Sequence, residues 1–398
     1  MKKTLTLLLL SLIITMNIYS QKKVNADKFY NFTKNYALVK KGMELRFIDT
    51  LGNIMPEMKV NQPINSFSFK EYGIQGNGLY ISGGPNHQGI KNIKGEYVFK
   101  PIFNIKKYHN FFILKPSFNA KKKDLIITNL NGEIIYKETY TIEKQVFPVN
   151  NEIFAIRYLK SSIANEYSYS EIKNIKTGET TEKIFTNVFP EVNGLIKAYK
   201  YNEEEGANKW GFINTKFKTI IDFVYSNKPG DLIDNRILVK SRDNKFGFID
   251  ATGEIIIEPK FLEAKHFVNG YALVKVHKRK FLVSNKAYNY GYRVIDQNGK
   301  IVLDLKNLEP ITRLYYKKLN PIESNGIIRV KIKNKFSYIQ ALLDIKSGKI
   351  IKTKYNKIHK FNSGLALVEF KDENRKNTFG YINKNGKLIL VKGLVSKF

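Results

Sequence analysis

The sequence predicts an all-β chain of tandem antiparallel units, three- to four-stranded and β-propeller-like, with an open β-solenoid as the alternative. Three observations lead there. The segment Asn269-Gly270-Tyr271-Ala272-Leu273-Val274 returns as Ser363-Gly364-Leu365-Ala366-Leu367-Val368. A second segment, aromatic-Gly-aromatic-Ile-Asp/Asn, leads into a turn glycine and an aliphatic run, as from Phe246-Gly247-Phe248-Ile249-Asp250 through Gly253 to Ile255-Ile256-Ile257. Helical periodicity is absent, and the runs are short, β-branched or aromatic, and bounded by turn residues.

Residues 1–20 stand apart from this array. Lys2 and Lys3 precede an apolar stretch from Leu5 to Ile14, and Asn17 and Ser20 follow. That is the layout of a secretory signal peptide cleaved after Ser20, its apolar run of roughly 10 residues falling short of the ~20 that span a bilayer. The chain has no cysteine, which removes both a lipid-anchoring thiol and disulfides. The sequence therefore predicts a secreted or periplasmic protein with no transmembrane segment after signal removal. Residues 21–398 read as one array of about nine units, the first half degenerate.

Within a unit, Tyr271-Ala272-Leu273-Val274-Lys275 is a first strand and Phe246-Gly247-Phe248-Ile249-Asp250 a second. The tetrad Asp250-Ala251-Thr252-Gly253 supplies a carboxylate for nearby amides and a glycine that tolerates positive φ, so it predicts a hairpin. Such turns fall at Gly52, Gly95, Gly132, Gly178, Gly253, Gly299, Gly348 and Gly386, with Phe217 standing in for glycine at a ninth. Glycine in mid-strand at Gly211, Gly247, Gly291 and Gly380 is costly alone, which predicts a ring or backbone packed directly over it. The neighbouring Trp210, Phe246 or Phe379 is expected to cap the next unit's sheet. Pro259 and Pro101 are expected to end the third strand, and a short fourth segment then closes on Phe267 or Phe361. Lys28-Phe29-Tyr30-Asn31-Phe32 resembles such a fourth segment, placed as if to complete the last unit of a ring. Nine turns, however, exceed the usual maximum of about eight blades.

Lys209-Trp210-Gly211-Phe212-Ile213-Asn214, the turn glycines, the aliphatic third strand and the Pro-x-Phe element together resemble the bacterial WG-repeat family, also called KWG repeats. The resemblance runs from about Tyr36 to Leu390, as a fixed-period signature does. It implies a β-repeat fold and carries over no catalytic residues.

The chemistry-bearing residues are sparse. His87, His109, His266, His277 and His359 show no metal-site spacing, so neither a metal nor a cofactor is expected. Glu203-Glu204-Glu205 fits a solvated loop better than a cation site. Gly73 to Gly78 followed by Gly83-Gly84-Pro85 is no phosphate loop, lacking both a Lys-Ser/Thr and a following helix. No catalytic, cofactor-binding or metal residue is assigned. Loop residues Lys286, Tyr288, Asn289 and Tyr290 are the best ligand-facing guess. A net charge of +32 admits nucleic acid or another anionic polymer as partner, although the lysines are dispersed as on a solvated surface. The reading that follows is an exported, non-catalytic binding or scaffold protein for a protein or glycan partner. The alternatives are adhesion to anionic polymers and, more remotely, a propeller-borne hydrolase or lyase.

Overall fold

The computed structural model describes residues 22–392 except 33–34, 43, 56–77, 85–86, 93, 118–123, 142–143, 162–165, 183, 278–289, 306–307, 312, 315–316, 319 and 334–337. The signal-peptide segment lies outside the described residues. All regular structure described is β, in eight sheets of three or more strands plus a two-stranded ribbon. In chain order the sheets span 28–49, 80–139, 144–174, 187–225, 237–261, 263–304, 309–352 and 357–392. They form a β-propeller. The second sheet has six strands because Tyr97–Tyr108 is one long strand that ends one hairpin set and begins the next. That sharing is how nine glycine-type turns fit on eight sheets.

The turns follow from their Asx residues. Asp250 Oδ1 accepts the amides of Thr252 and Glu254 at 2.8 and 3.0 Å, and Asp296 does the same for Asn298 and Lys300. The closing residue takes positive φ, 95° at Gly253 and 59° at Phe217. In the second half of the array the turns also meet the sheet before them. A Cβ added to Gly253 would stand 3.4 Å from Ile221, and one on Gly299 3.3 Å from Ile257, so a turn backbone seats on its neighbour's outer strand.

The mid-strand glycines answer to a bulge. Pairing shifts between Trp210 and Phe212 and between Phe246 and Phe248, because the outer strand carries extra residues there. A Cβ on Gly247 would stand 2.5 Å from the Ile257 carbonyl and 2.6 Å from Pro259 N, and one on Gly211 2.7 Å from the Ile221 carbonyl. Backbone therefore packs over the glycine, as the sequence implied. Pro259 and Pro101, expected to end their strands, instead lie inside Ile255–Phe261 and Tyr97–Tyr108. Proline is tolerated there because the strand bulges and needs no amide at that point. Gly291 is a false member of the set: counted back from the turn acid Asp296, its structural position is held by Arg293, which pairs with Asp304 at 3.4 Å, and the ladder shifts only beyond it, between Val294 and Ile295.

The fourth segment belongs to the following sheet. Glu263–Ala264 pairs with Ala272–His277, joined through Asn269 and Gly270, both at positive φ, the backbone a tight two-residue hairpin requires. Lys28–Phe29 likewise pairs with its own Tyr36–Lys41, and Lys22–Val24 is the segment that joins the last sheet, in parallel on Leu388–Lys392. The ring closes there. Phe29, Phe32 and Val39 share one buried cluster with Leu367, Tyr381 and Leu390, and the Tyr381 hydroxyl donates to the Tyr30 carbonyl at 2.6 Å.

The initial strand of each sheet faces the axis and the final strand faces out. Val224, Ile255, Ile301 and Ile350, all on final strands, are exposed. Hydrogen bonds between neighbouring first turns run around one face: Asn193 Nδ2 to the Leu232 carbonyl at 2.8 Å, the Gly270 amide to Asp234 Oδ2 at 2.8 Å, Asn269 Nδ2 to the Ser324 carbonyl, and the Asn35 amide to Ser363 Oγ at 2.8 Å across the closure.

Gly247→Val should cost about 2–4 kcal/mol, because a backbone carbonyl and a proline ring must both give way. Urea denaturation monitored by circular dichroism measures this; an unchanged midpoint would show that the bulge yields freely.

Candidate functional site

Register aligns, residue by residue, the strands that follow the first turn of each repeat. The position two before the repeat's usual lysine is apolar at Leu38, Ile113, Leu238, Leu273 and Leu367, each facing an apolar or aromatic partner across the ladder. Lys197 and Arg329 hold it in the fourth and seventh sheets. Each cation is buried and answered. Arg329 Nε lies 2.6 Å from Glu323 Oε1, Arg329 Nη1 donates to the Ile358 carbonyl at 3.2 Å, and Glu323 Oε2 accepts the Phe361 amide at 3.3 Å. This pair ties the seventh sheet to the eighth. Burial pushes the Glu323 carboxyl up, against the pull of Arg329.

Lys197 makes a more open arrangement. Its ammonium reaches the Pro229 carbonyl at 3.1 Å and Asp231 Oδ1 at 2.5 Å, both on the segment that opens the fifth sheet. The lysine side chain is 6% exposed and Asp231 42%. Beside it lies a cavity of about 310 Å³ lined by Lys197, Lys228, Asp231, Lys240, Phe246 and His266. The fourth, fifth and sixth sheets all contribute.

An aromatic shelf borders the cavity. In the fourth sheet Tyr199 occupies the usual lysine position and pairs with Trp210. Their rings lie 4.5 Å apart, and Phe189 stands 5.5 Å from Trp210. The Lys228 ammonium sits 4.0 Å from the centre of Phe189 and 5.5 Å from Trp210, a cation–π geometry. Trp210 thus caps its own sheet, contrary to expectation, because Tyr199 offers it a ring in place of an aliphatic stem. Phe379 does reach the adjoining sheet, stacking on Phe29 at 6.5 Å.

His266 completes the wall. Its ring fills the space above Gly230, where a Cβ would stand 2.4 Å from Cε1. Its Nδ1 is buried without a hydrogen-bond partner among the described residues. Desolvation holds the imidazole below its usual pKa, the Asp231 carboxylate opposing this and Lys197 and Lys265 adding to it. His109, on the second sheet, is also held down by desolvation, and it too feels Asp231, Lys228 and Lys197. The first turns of distant sheets therefore converge on shared charges.

Other candidates fall elsewhere. Tyr290 is exposed under the Lys275 ammonium at 3.7 Å, away from this cavity. Lys286, Tyr288, Asn289 and residues 73–77 lie outside the described residues. Glu205 pairs with Lys209 and Arg242 while Glu203 and Glu204 stay exposed. Among the described residues no group of three or more His, Asp or Glu is placed to hold a metal, and no helix is long and apolar enough to cross a membrane. Lys197, Lys228, Asp231 and His266 were missed as a set. The signal available was departure from the repeat, since Lys197 breaks a leucine position and Tyr199 a lysine position.

The fold and its turn chemistry define a β-propeller assembled from short antiparallel repeats. Segments 210–243, 246–279 and 343–373 match the family model described as WG containing repeat, so these three segments are WG-type repeats. No curated protein matches the chain in sequence. Among solved structures, one titled as the eukaryotic initiation factor aligns at TM-score 0.55 and 9% identity, covering 90% of this chain and 96% of the other. BamB from Moraxella catarrhalis aligns at TM-score 0.35 and 9% identity, covering 78% and 96%. The β-propeller domain of the Trilobed protease from Pyrococcus furiosus aligns at 0.33 and 11%, covering 72% and 96%. At these identities the likeness is one of fold alone.

Two outcomes follow for stability. Asp231→Ala strands a buried ammonium and should cost about 1–3 kcal/mol, whereas Lys197→Met should be near neutral; chemical denaturation of both variants checks the order. His109, His266 and His359 are all held below 6.5 by desolvation. The unfolded chain therefore takes up these protons first, and stability that is full above about pH 6.5 falls as pH drops below it. Melting temperatures between about pH 7.5 and pH 5 should show that decline, shallower in His266→Gln.

Proposed function

We propose that the protein is an exported, non-catalytic binding or scaffold protein that holds a protein or glycan partner at the inner face of its propeller. The observation that carries this reading is the convergence of irregular residues. In most other sheets the repeating positions hold apolar core residues and ladder lysines, with Arg329 in the seventh sheet and Glu369 in the eighth as departures that lie outside the cavity. In the fourth sheet the same positions hold Lys197, which lines one cavity with Lys228 and His266, and Tyr199, which packs on Trp210 beneath the Lys228 ammonium. Export rests on the Lys2-Lys3, Leu5 to Ile14 and Ser20 pattern. A fold stabilised by packing and ladders, with no cysteine, is indifferent to the redox state outside the cell.

The net charge of +32 supports a second reading, adhesion to anionic polymers through the surface at large. One experiment separates the two. Purified protein is passed over an immobilised acidic polysaccharide at about 0.15 M salt and eluted with a salt gradient. Retention that Lys228→Ala reduces, with a distant Lys216→Ala unchanged, supports the cavity. Retention equally sensitive to either lysine and steeply salt-dependent supports general adhesion, and no retention of any acidic, neutral or protein partner sinks the binding reading. Polymer length should be unchanged after incubation; shortening would make the protein an enzyme.

A further inference from the structure

The cavity beside Lys197 contains polar groups that the fold leaves unspent. Lys197 is committed to Asp231 and the Pro229 carbonyl. Lys228 and Lys240 make no ion pair among the described residues: their ammoniums approach ring faces, Phe189 at 4.0 Å and Phe246 at 5.7 Å, although Lys228 also feels the Asp231 carboxylate. The buried Nδ1 of His266 has no partner either. Buried polar atoms in native proteins almost always find one. Two lysines without an ion pair among the described residues, the His266 ring and the Phe246 face thus border one space of about 310 Å³, which the Asp231 carboxylate also lines, near the lower bound for small-molecule sites.

We propose that this cavity is a subsite for a sugar unit bearing a carboxylate, such as a hexuronic acid. The proposal rests on the binding reading above and names the chemistry of the ligand. Four features select it. Lys228 and Lys240 supply two point charges for one carboxylate, each a charge-assisted donor. At the centre of the segment above the cavity Pro229 has no N–H and the Gly230 amide is spent on the Leu238 carbonyl at 2.8 Å, so two successive positions cannot give the amides from which phosphate sites are typically built. His266, held neutral by desolvation, lines the wall as an uncharged ring. Phe246 on the wall gives an apolar face for the C–H side of a sugar ring. Gly230 is part of the device, because any side chain there would displace His266.

The test is calorimetric titration of the intact protein with a glucuronate-containing disaccharide, its uncharged glucose counterpart, and glucose 6-phosphate. The disaccharide acid should bind at least about tenfold more tightly than either of the others, and Lys228→Ala and Lys240→Ala should each weaken it by about tenfold. His266→Gln should weaken the neutral and acidic sugars alike. Melting curves of each variant confirm that it is folded; Lys228 is exposed, so its replacement leaves the fold intact. Tighter binding of the phosphate would overturn the carboxylate assignment, and equal binding of the neutral sugar would overturn the role of the lysines. If no sugar binds while a polymer or protein partner is still held through Lys228, this inference falls and the binding reading stands. If binding of every partner ignores Lys228, both fall.

Discussion

Where the Asx-Gly turn of one sheet lies against the outer strand of the sheet before it, two thin hairpin layers become one structure. The contact is between turn backbone and aliphatic side chain, Gly253 on Ile221 and Gly299 on Ile257. It sets the spacing between sheets, and everything inward of it inherits that spacing. The clusters that hold Phe248, Phe261 and Phe267 with Ala272 and Ile295 draw on two sheets each, because neither sheet alone could exclude water from such side chains. A relay of hydrogen bonds between first turns does for the inner edge what the glycine contact does for the outer one. A protein without disulfides can be held together in this way because each joint is small and the number of joints is large.

The turns, the strand order within a hairpin and the all-β class were legible because each rests on local chemistry. An aspartate that captures two amides and a glycine at positive φ need no distant partner, and even Phe217 could be recognised as the odd member. Features set by neighbours were harder. Pro259 looked like a stop because a proline in a flat strand is one; only the bulge opposite Gly247 reveals that the strand continues through it. Gly291 looked like the same glycine as Gly247 because the flanking aromatics match, but the count back to the turn acid differs. The fourth segment was assigned to the wrong sheet for a related reason: chain order says what precedes it, whereas the two-residue turn at Asn269-Gly270 decides what it pairs with. The cavity was hidden because its residues lie in different repeats and only register makes Lys197 comparable with Leu238.

Two buried cations at one repeat position invite comparison. Arg329 and Glu323 are both nearly inaccessible, with every oxygen of the carboxylate engaged, the condition under which a buried pair can hold its charges. That arrangement is closed. Lys197 has one carboxylate, itself partly exposed, and a void alongside. The same substitution of charge for leucine has thus been used once to lock two sheets together and once to leave a charged wall facing open space.

The closure joins residues at opposite ends of the chain, with 351 positions between Tyr30 and Tyr381. During synthesis from the amino terminus, Phe29 and Phe32 emerge first and find their ring partners last. Contacts so distant in sequence form slowly, and until the final hairpin exists the opening sheet exposes an aromatic flank and the last outer strand lacks its parallel neighbour. A full-length copy that has not yet closed therefore presents two complementary ends. Such ends can meet those of another copy, so the geometry that gives a sealed ring also supplies the means for head-to-tail chains whenever closure is delayed.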